Sequence, residues 1–272
     1  METIAVIGAG IVGRTLAAAW VKAGHQVAIG SRDPESATVP AGAAVSEPFA
    51  ALEEARVAVY TVPGSAMPEV LAAHTVALAG RIVIDATNNM AGPEMSALRH
   101  LPDGAIGFRA FNSVGWENMD NPVINGEVAD MFFAGPDGAE REVVGGLISD
   151  VGFRPVYAGG SPAAFAAVDS VAGLWFALAL GRGLGRHLAF RVLTDTGNAR
   201  AGRRSLQQRG LAGVVDQQAV VAQAQAGGGA VRLQAAVVHE VGDLDATGGR
   251  DEVRDQAAVA APPHALRAHD RD

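Results

Sequence analysis

The chain has 272 residues, hydrophobic residues make up 49% of it, and its formal net charge is −8. This length allows one domain of moderate size, or one domain with an appendage. The acidic balance argues against a nucleic-acid partner, and the absence of cysteine excludes disulfides, thiolate nucleophiles and cysteine metal ligands. The N-terminus lacks a charged leader and the apolar run GLWFALALG is too short for a membrane span, so we expect a cytoplasmic protein without membrane contact.

Predicted strands and helices alternate through the first part of the chain. Several of the strands are apolar throughout, and the set is IAVIG, QVAIGS, VAVYTV, RIVIDAT, AIGFRAFNSV, DMFFAG and RPVYAG. Such strands, separated by helices, favour a parallel sheet that is covered on both faces. We therefore predict an α/β fold, a Rossmann-type doubly wound parallel sheet with a small, mostly helical C-terminal part.

The domain organisation follows from changes in composition. We assign residues 1–160 to a nucleotide-binding domain and residues 161–193, which are apolar and read as helical, to a small region for substrate and dimer contacts. After Leu193 the sequence contains no Phe, Trp, Tyr, Ile or Met. A segment with so little to bury does not offset its ordering entropy, so residues 194–272 are predicted to be a poorly ordered, atypical tail. The abrupt change also raises the hypothesis of a frameshifted or read-through end.

The segment GAGIVG directly follows the first strand and opens the first helix. Gly8 suits the tight turn, Gly10 lets the backbone approach a pyrophosphate, and Gly13 allows the helix to pack closely on the strand. The helix N-terminus adds amide donors and a partial positive charge. This context predicts dinucleotide binding, against the alternative of a purely structural turn.

Ser31 and Arg32 follow the second strand, where NAD-binding proteins carry an acidic residue that bonds the ribose hydroxyls. An arginine at this position grips a 2′-phosphate with two parallel charged hydrogen bonds, and a serine hydroxyl adds a donor. The alternative is an ordinary surface arginine. We predict that the cofactor is NADP.

Further residues at strand ends are expected beside the cofactor. The carboxyl ends of parallel strands meet at one edge of the sheet, which is the ligand-binding edge in such folds. This edge should carry the residues Thr61, Val62, Pro63, Asn88, Asn89 and Asn112. The alternative for the asparagines is that they simply favour turns.

No residue with a proton-transfer role is evident. Lysine occurs once, at Lys22 in the first helix, and His74, His100 and His187 are isolated. No histidine and carboxylate cluster has metal-ligand spacing, so we predict neither a catalytic side chain nor a metal site. A site of this kind suits an acceptor that itself takes a hydride, for which the protein aligns two rings and excludes water.

The chain resembles the NADP oxidoreductases that depend on the deazaflavin coenzyme F420. The resemblance covers nearly all of residues 1–193 and lies in GAGIVGRTLA, IGSRDPE, AFNSVGWENMDNP, VVGGLISDVGFRPVYAGG and LWFALALGRGLGRHLAFRVL. It implies direct hydride transfer between NADPH and the deazaflavin, and a homodimer. It also implies that Ala9, Gly10, Ile11 and Val12 wrap the pyrophosphate. In the same way Ser31 and Arg32 would hold the 2′-phosphate, and Val62 and Asn88 would flank the cofactor.

Two departures from the family pattern concern the substrate. Some members carry a further basic residue shortly after the serine–arginine pair, where this chain has Glu35 and Ser36. The loop SVGWENMDNP replaces the family's plainer sequence and places the bulky Trp116 where the second ring should stack. Trp116 either lines a deazaflavin pocket or closes it and shapes it for another acceptor. Two alternatives therefore remain: an NADP-dependent reductase of a flavin, ferric chelate or imine, and a non-catalytic NADPH-sensing module.

Overall fold

A computed structural model of the chain describes residues 1–194. Its strands are β1 (Thr3–Ile7), β2 (Gln26–Gly30), β3 (Ala44–Ser46), β4 (Val57–Tyr60), β5 (Ile82–Asp85), β6 (Ile106–Arg109), β7 (Val123–Ile124), β8 (Glu127–Val128), β9 (Asp130–Ala134) and β10 (Arg154–Gly159). Its α-helices are α1 (Ile11–Lys22), α2 (Pro48–Glu53), α3 (Met67–Ala73), α4 (Trp116–Asp120), α5 (Ala139–Val151) and α6 (Pro162–Phe176). Most of the predicted tail, from residue 195 onward, lies outside the described residues.

Eight strands form one sheet in the order β10-β9-β6-β5-β4-β1-β2-β3. The order of β1 to β6 is that of a dinucleotide-binding doubly wound sheet, and these six strands are parallel to one another. The predicted α/β Rossmann fold is thereby confirmed. One detail differs from the all-parallel prediction, because β9 runs antiparallel to β6. The chain reverses between them through α4 and the β7–β8 hairpin.

The strand ends are aligned across the sheet. The register pairs Gly30 with Ile7, Ile7 with Tyr60, Tyr60 with Asp85, and Asp85 with Arg109. The last residues of β2, β1, β4, β5 and β6 therefore form one row. Every segment that leaves this row starts at the carboxyl edge of the sheet, which is where the predicted site residues begin.

Two hydrophobic clusters, one on each face, cover the sheet. The larger cluster joins β-strand side chains to α1 and α5, and Trp20 on α1 donates a hydrogen bond of 3.0 Å to the carbonyl of Leu147 on α5. The other cluster joins the sheet to α2 and α3 through Leu52 and Leu71. Helix α6 packs separately against β9, through Val168 and Ala134.

The C-terminal region is less helical than predicted. Helix α6 continues into a π-helical turn, Ala177–Gly181, and the chain from residue 182 to residue 194 is not helical. Glycine ends the helix, since Gly183 and Gly185 have φ values of 69° and 89°. The following segment is held in place by side chains: Trp175 donates to the carbonyl of Leu188 at 2.7 Å, and Asn118 donates to the same carbonyl at 2.9 Å.

By length and composition alone, one helix of the described residues could span a membrane: Pro162–Gly181, whose hydropathy is 1.8. The sequence-based argument considered only the run GLWFALALG, whereas α6 and the π-helical turn form one continuous element of 20 residues. A core helix of a soluble protein passes the same test. The single charged residue of this helix, Asp169, bonds an arginine of the sheet, as described below.

Candidate functional site

The glycine turn between β1 and α1 is built as the sequence predicts. Gly8 has a φ of 121°, a value that side chains rarely allow, and its amide donates to the carbonyl of Gly30 at 3.0 Å. A Cβ atom on Gly13 would lie 2.1 Å from the Gly8 carbonyl oxygen. Both glycines are therefore required by the packing of the turn itself, whether or not a nucleotide is bound.

Gly10 differs from its two neighbours in the motif. It caps α1 with an ordinary φ of −69°, and a Cβ atom there would meet no protein atom within 4 Å. The packing of the described residues thus gives no reason for a glycine at this position. The first amides of α1, at Ile11, Val12 and Gly13, have no intrahelical acceptor, and Ile11 is 44% exposed. Free space at a glycine beside unpaired helix amides suits a bound pyrophosphate, and we call the backbone from Ala9 to Val12 the pyrophosphate cradle.

Ser31 and Arg32 leave the sheet at the end of β2. Arg32 is exposed and forms no ion pair within residues 1–194. The Ser31 hydroxyl donates to the carbonyl of Asp33 at 3.0 Å. Hydrogen bonds from Ser36 hold the pKa of Asp33 below its ordinary value, so this carboxylate is engaged by Ser36 and not by the arginine.

The end of β4 is tied to the glycine turn. The Thr61 hydroxyl donates to the carbonyl of Gly8 at 3.0 Å, so Thr61 stabilises the glycine turn. Val62 is half-buried and Pro63 is exposed at the same edge. Gly64 follows, and a Cβ atom on it would lie 2.4 Å from the backbone carbon of Asn88. The segments after β4 and β5 therefore touch, and they touch at Gly64.

The structure brings two of the predicted asparagines together. Asn88 Nδ2 donates to the backbone carbonyl of Asn112 at 2.8 Å. Asn88 is half-buried, whereas Asn112 is buried at 1% exposure. Asn89 is occupied differently, because its backbone amide donates to the carbonyl of Met95 within its own loop. Asn88 and Asn112 thus belong to one hydrogen-bonded unit at the carboxyl edge.

A buried arginine that the sequence analysis did not select organises this unit. Arg109, the last residue of β6, has no exposed surface. Its Nη2 donates to Asn88 Oδ1 at 3.0 Å, its Nη1 donates to the carbonyl of Asp85 at 3.0 Å, and its Nε donates to Asp169 Oδ1 at 2.7 Å. A buried guanidinium needs such partners to offset its lost hydration.

Two carboxylates flank Arg109. Asp85 is fully buried, lies 3.3 Å from the guanidinium, and accepts hydrogen bonds from Thr87 and Ser96. Asp169 comes from α6; burial raises its pKa above the ordinary value, and Arg109 opposes that rise. The signal for this cluster was present in the sequence as charged residues inside apolar segments, VIDAT, GFRAF and AAVDSVAG. Their partnership joins residues far apart in the chain and was not predicted.

The loop after β6 has a constrained backbone. Phe111 is buried and has a φ of 62°, in the left-handed region that costs a bulky side chain free energy. Its amide faces the Met131 sulfur at 3.3 Å, and its ring packs edge-on against Trp20 at 5.8 Å. Trp116 starts α4 at the end of the same loop and is half-buried. These contacts fix the backbone conformation of the loop that follows β6.

Tyr60 and two histidines are bonded to other groups of the protein. Tyr60 is buried, its hydroxyl lies 3.0 Å from His74 Nδ1, and burial raises the pKa of the phenol while it lowers that of the imidazole. His187 contacts the backbone carbonyl of Asn121. Among residues 1–194 no group of three histidine or acidic side chains has the arrangement of a metal site.

Comparison with known proteins agrees with this geometry. Residues 3–89 match the family model described as NADP oxidoreductase, coenzyme F420-dependent. The comparison with curated proteins found no match.

Solved structures share the fold. A candidate F420-dependent NADP reductase from Arthrobacter sp. FB24 superposes with a TM-score of 0.60 at 24% identity, covering 71% of this chain and 100% of that one. A hypothetical protein from Sinorhizobium meliloti gives 0.51 at 25% identity, with 72% and 97% covered. A reductive aminase from Aspergillus terreus in complex with NADPH gives 0.50 at 18% identity, with 78% and 74% covered.

The family match and the geometry of the glycine turn both support binding of a dinucleotide cofactor. The matched region contains the turn, Ser31, Arg32, Thr61 and Asn88, which are the residues that the sequence analysis assigned to NADP. Residues 3–89 are thus similar to the coenzyme F420-dependent NADP oxidoreductases, and this match together with the glycine turn supports an NADP-dependent oxidoreductase.

Proposed function

We propose that the chain transfers a hydride between NADPH and a deazaflavin coenzyme of the F420 type. The observation that carries the proposal is a cofactor edge with an open pyrophosphate cradle at Gly10, at which the tyrosine that ends β4, Tyr60, is buried in the hydrophobic core and bonded to His74. Such an edge aligns two ring systems and leaves the chemistry to them.

The chain's own residues fit the dinucleotide. The backbone from Ala9 to Val12 offers amides at the start of α1 for the pyrophosphate, and Gly10 leaves room for it. Ser31 and Arg32 would hold the 2′-phosphate, since Arg32 has no other ion pair within the described residues.

At the reacting end, Val62 and Asn88 would flank the nicotinamide, with Thr61 and Pro63 completing the wall after β4. Asn112 would support this wall from below, because its carbonyl accepts the hydrogen bond from Asn88.

The second ring would stack on the exposed side of the nicotinamide. Bound there, NADPH would supply a hydride from C4 of its dihydronicotinamide, the deazaflavin would accept it at C5, and a solvent proton would complete the reduced ring. Because a hydride and not a proton moves between the two ring carbons, this step requires no acidic or basic side chain. Trp116, half-buried at the start of α4, is the aromatic residue that we assign to this ring.

Two other functions make different predictions. A reductase of a flavin, a ferric chelate or an imine would consume NADPH with one of those acceptors and not with the deazaflavin. A sensing module would bind NADPH tightly and transfer hydride to none of them.

The test mixes the full chain with NADPH and the oxidised deazaflavin and follows loss of the deazaflavin absorbance. We expect rapid bleaching that saturates with NADPH. No bleaching despite NADPH binding would overturn the deazaflavin assignment and direct the search to the other acceptors.

We also propose that the protein works in the cytoplasm as a homodimer. Helix α6 and its continuation present Leu174 and Leu180 at 45% and 55% exposure, on a helix that is apolar nearly all round. An apolar face of this kind is stabilised by burial against a partner.

A further inference from the structure

Arg109 and Asp169 determine which side-chain atoms of Asn88 and Asn112 donate hydrogen bonds and which accept them. A guanidinium only donates hydrogen bonds and a carboxylate only accepts them. Arg109 therefore requires an oxygen from Asn88, and Asp169 requires the amino group of Asn112, which donates to it at 3.3 Å. A 180° rotation of either side-chain amide would place two donors or two acceptors in contact.

The consequence for Asn112 is visible in the structure. Because its amino group is committed to Asp169, its Oδ1 atom is buried without a hydrogen-bond partner among the described residues. Leaving a buried acceptor unpaired costs free energy. The hydrogen bond to the Asp169 carboxylate outweighs this cost and therefore fixes the orientation of the Asn112 side-chain amide.

The consequence for Asn88 concerns the cofactor. Its Oδ1 is bound by Arg109, and one hydrogen of its Nδ2 is bound by the carbonyl of Asn112. The second Nδ2 hydrogen has no acceptor within residues 1–194. Asn88 is half-buried, so this hydrogen belongs to a side chain that a ligand can still reach.

The backbone of Asn88 is fixed independently of these side chains. Gly64 packs so closely that a Cβ atom on it would lie 2.5 Å from the carbonyl oxygen of Asn88 and 2.5 Å from the amide nitrogen of Asn89. The backbone contact with Gly64 and the hydrogen bond from Arg109 together hold Asn88 in place. A preorganised donor of this kind binds without reorganisation.

We propose that Arg109 is a positioning residue that turns Asn88 so that its free amide hydrogen donates to the carbonyl oxygen of the cofactor's carboxamide. Asp169 and Asp85 anchor Arg109, and α6 thereby takes part in cofactor recognition although it lies outside the matched family region. This inference rests on the proposed function. It adds the direction of one hydrogen bond and the residues that set it.

The test compares equilibrium binding of NADP⁺ with that of two analogues. In thio-NADP⁺ the carboxamide oxygen is replaced by sulfur, a weak acceptor, whereas in 3-acetylpyridine-NADP⁺ the carbonyl is kept and the amino group is lost. We expect the full chain to bind thio-NADP⁺ roughly tenfold more weakly than NADP⁺, because a buried donor is left unpaired. The acetylpyridine analogue should bind as NADP⁺ does.

Variants locate the effect. Asn88→Asp keeps the shape and the bond from Arg109 but has no donor, so the ratio of the two dissociation constants should fall to about one. Arg109→Lys should lower the ratio similarly, and Asp169→Asn should lower it partly. Ser96→Ala, which removes a hydrogen bond to the same Asp85 without touching Asn88 or Arg109, is the control and should keep the wild-type ratio.

Binding of 2′,5′-ADP, which is the half of the cofactor without nicotinamide, separates the outcomes. Wild-type protein that binds neither 2′,5′-ADP nor NADP⁺ would contradict the proposed function itself. Normal 2′,5′-ADP binding with equal affinity for NADP⁺ and thio-NADP⁺, or selective loss of the acetylpyridine analogue, would overturn only the role of Asn88.

An unchanged ratio in Arg109→Lys would overturn the role of Arg109. Should that variant lose 2′,5′-ADP binding, Asp169→Asn decides by the same ratio, since Asp169 is 23% exposed and anchors the Arg109 Nε. A wild-type ratio in Asp169→Asn would then overturn it.

Discussion

Two adjacent residues, Ser31 and Arg32, decide between NADPH and NADH in our account. Arg32 is exposed at the end of β2 and pairs with no carboxylate in the described part of the chain. Asp33 follows it directly, but its carboxylate accepts the Ser36 amide at 3.2 Å, so the side chain of Arg32 is left for a ligand.

Arg32→Ala should therefore weaken NADPH binding and leave NADH binding unchanged. Charge-assisted hydrogen bonds are worth about 1.5–3 kcal/mol, so we expect the Kd for NADPH to rise roughly 10- to 100-fold. Fluorescence titration of both nucleotides measures the effect. Arg56→Ala is the matched control, because Arg56 is also exposed and pairs with Glu2 before β1 and β4, at the opposite edge of the sheet. Equal losses for NADPH and NADH would contradict the assignment.

Single residues differ in how far the sequence reveals them. Gly8 and Gly13 were predictable because their roles follow from spacing within one strand-turn-helix unit, whereas the role of Arg32, inferred from the same unit, stays a prediction. Arg109 and Asp169 were not, since their contact joins β6 to α6, and burial of a charged side chain leaves no periodic signal. The role of Gly64 was likewise hidden, because it depends on how closely the chain after β5 approaches.

At the scale of elements, the start of α1 separates structural from ligand-binding glycines. Gly13→Ala places a methyl group against the Gly8 carbonyl and should destabilise the fold by about 1–3 kcal/mol, seen as a fall in Tm of several degrees. Gly10→Ala meets no protein atom and should keep the wild-type Tm.

The same Gly10→Ala variant should lose NADPH binding by about tenfold or more, since the methyl group occupies the space that the pyrophosphate approaches. Calorimetric melting and NADPH titration of both variants measure the two effects. A Gly10→Ala protein that binds NADPH as the wild type does would contradict the assignment of the cradle.

The elements themselves were predictable to different degrees. The parallel strands β1, β4 and β5 are short apolar runs bounded by helices, and they were recognised. The edge strand β3 was missed, because three partly exposed residues carry too little pattern. The antiparallel direction of β9 depends on the α4 and hairpin reversal, and direction is not encoded in strand composition. Residues 182–194 were expected to be helical because they continue an apolar run, but glycines end the helix.

For the whole molecule, one buried pair makes stability depend on pH. His74 is 5% exposed and bonded to Tyr60, and burial lowers its pKa below 6.5. Below pH 6.5 the unfolded chain binds a proton that the folded chain resists, so stability falls as the pH falls.

We expect the free energy of unfolding of the wild type to fall below pH 6.5 with a contribution from His74 that approaches about 1.4 kcal/mol per pH unit at most. His74→Gln, which cannot take up a proton, should show a shallower slope. Urea unfolding between pH 5 and 8 measures both slopes. Parallel curves for the two proteins would contradict this role of His74.

The proposed dimer is tested through the exposed face of α6. Light scattering at micromolar concentration should give twice the chain mass of 27.7 kDa, and Leu174→Glu with Leu180→Glu should give the monomer mass. Val76→Glu, at a residue 91% exposed on another part of the surface, is the control and should leave the mass unchanged. A monomeric wild type would contradict the dimer.

The sequence was sufficient for the class of the whole molecule and insufficient for its second substrate. Alternation of strands and helices with one glycine turn predicts the nucleotide-binding fold, because the same local rules govern every such unit. The acceptor site is different in kind. We propose Trp116 for it, and no local rule connects the type of such a residue to one acceptor.

Deuterium transfer tests the central claim most directly. The full chain is mixed with NADPH that carries deuterium at both C4 positions and with the oxidised deazaflavin, and the mass of the reduced deazaflavin is measured. Direct hydride transfer predicts one retained deuterium per reduced ring, whichever face of the nicotinamide reacts. An unreduced deazaflavin in the presence of bound NADPH, or a reduced ring without deuterium, would contradict the account.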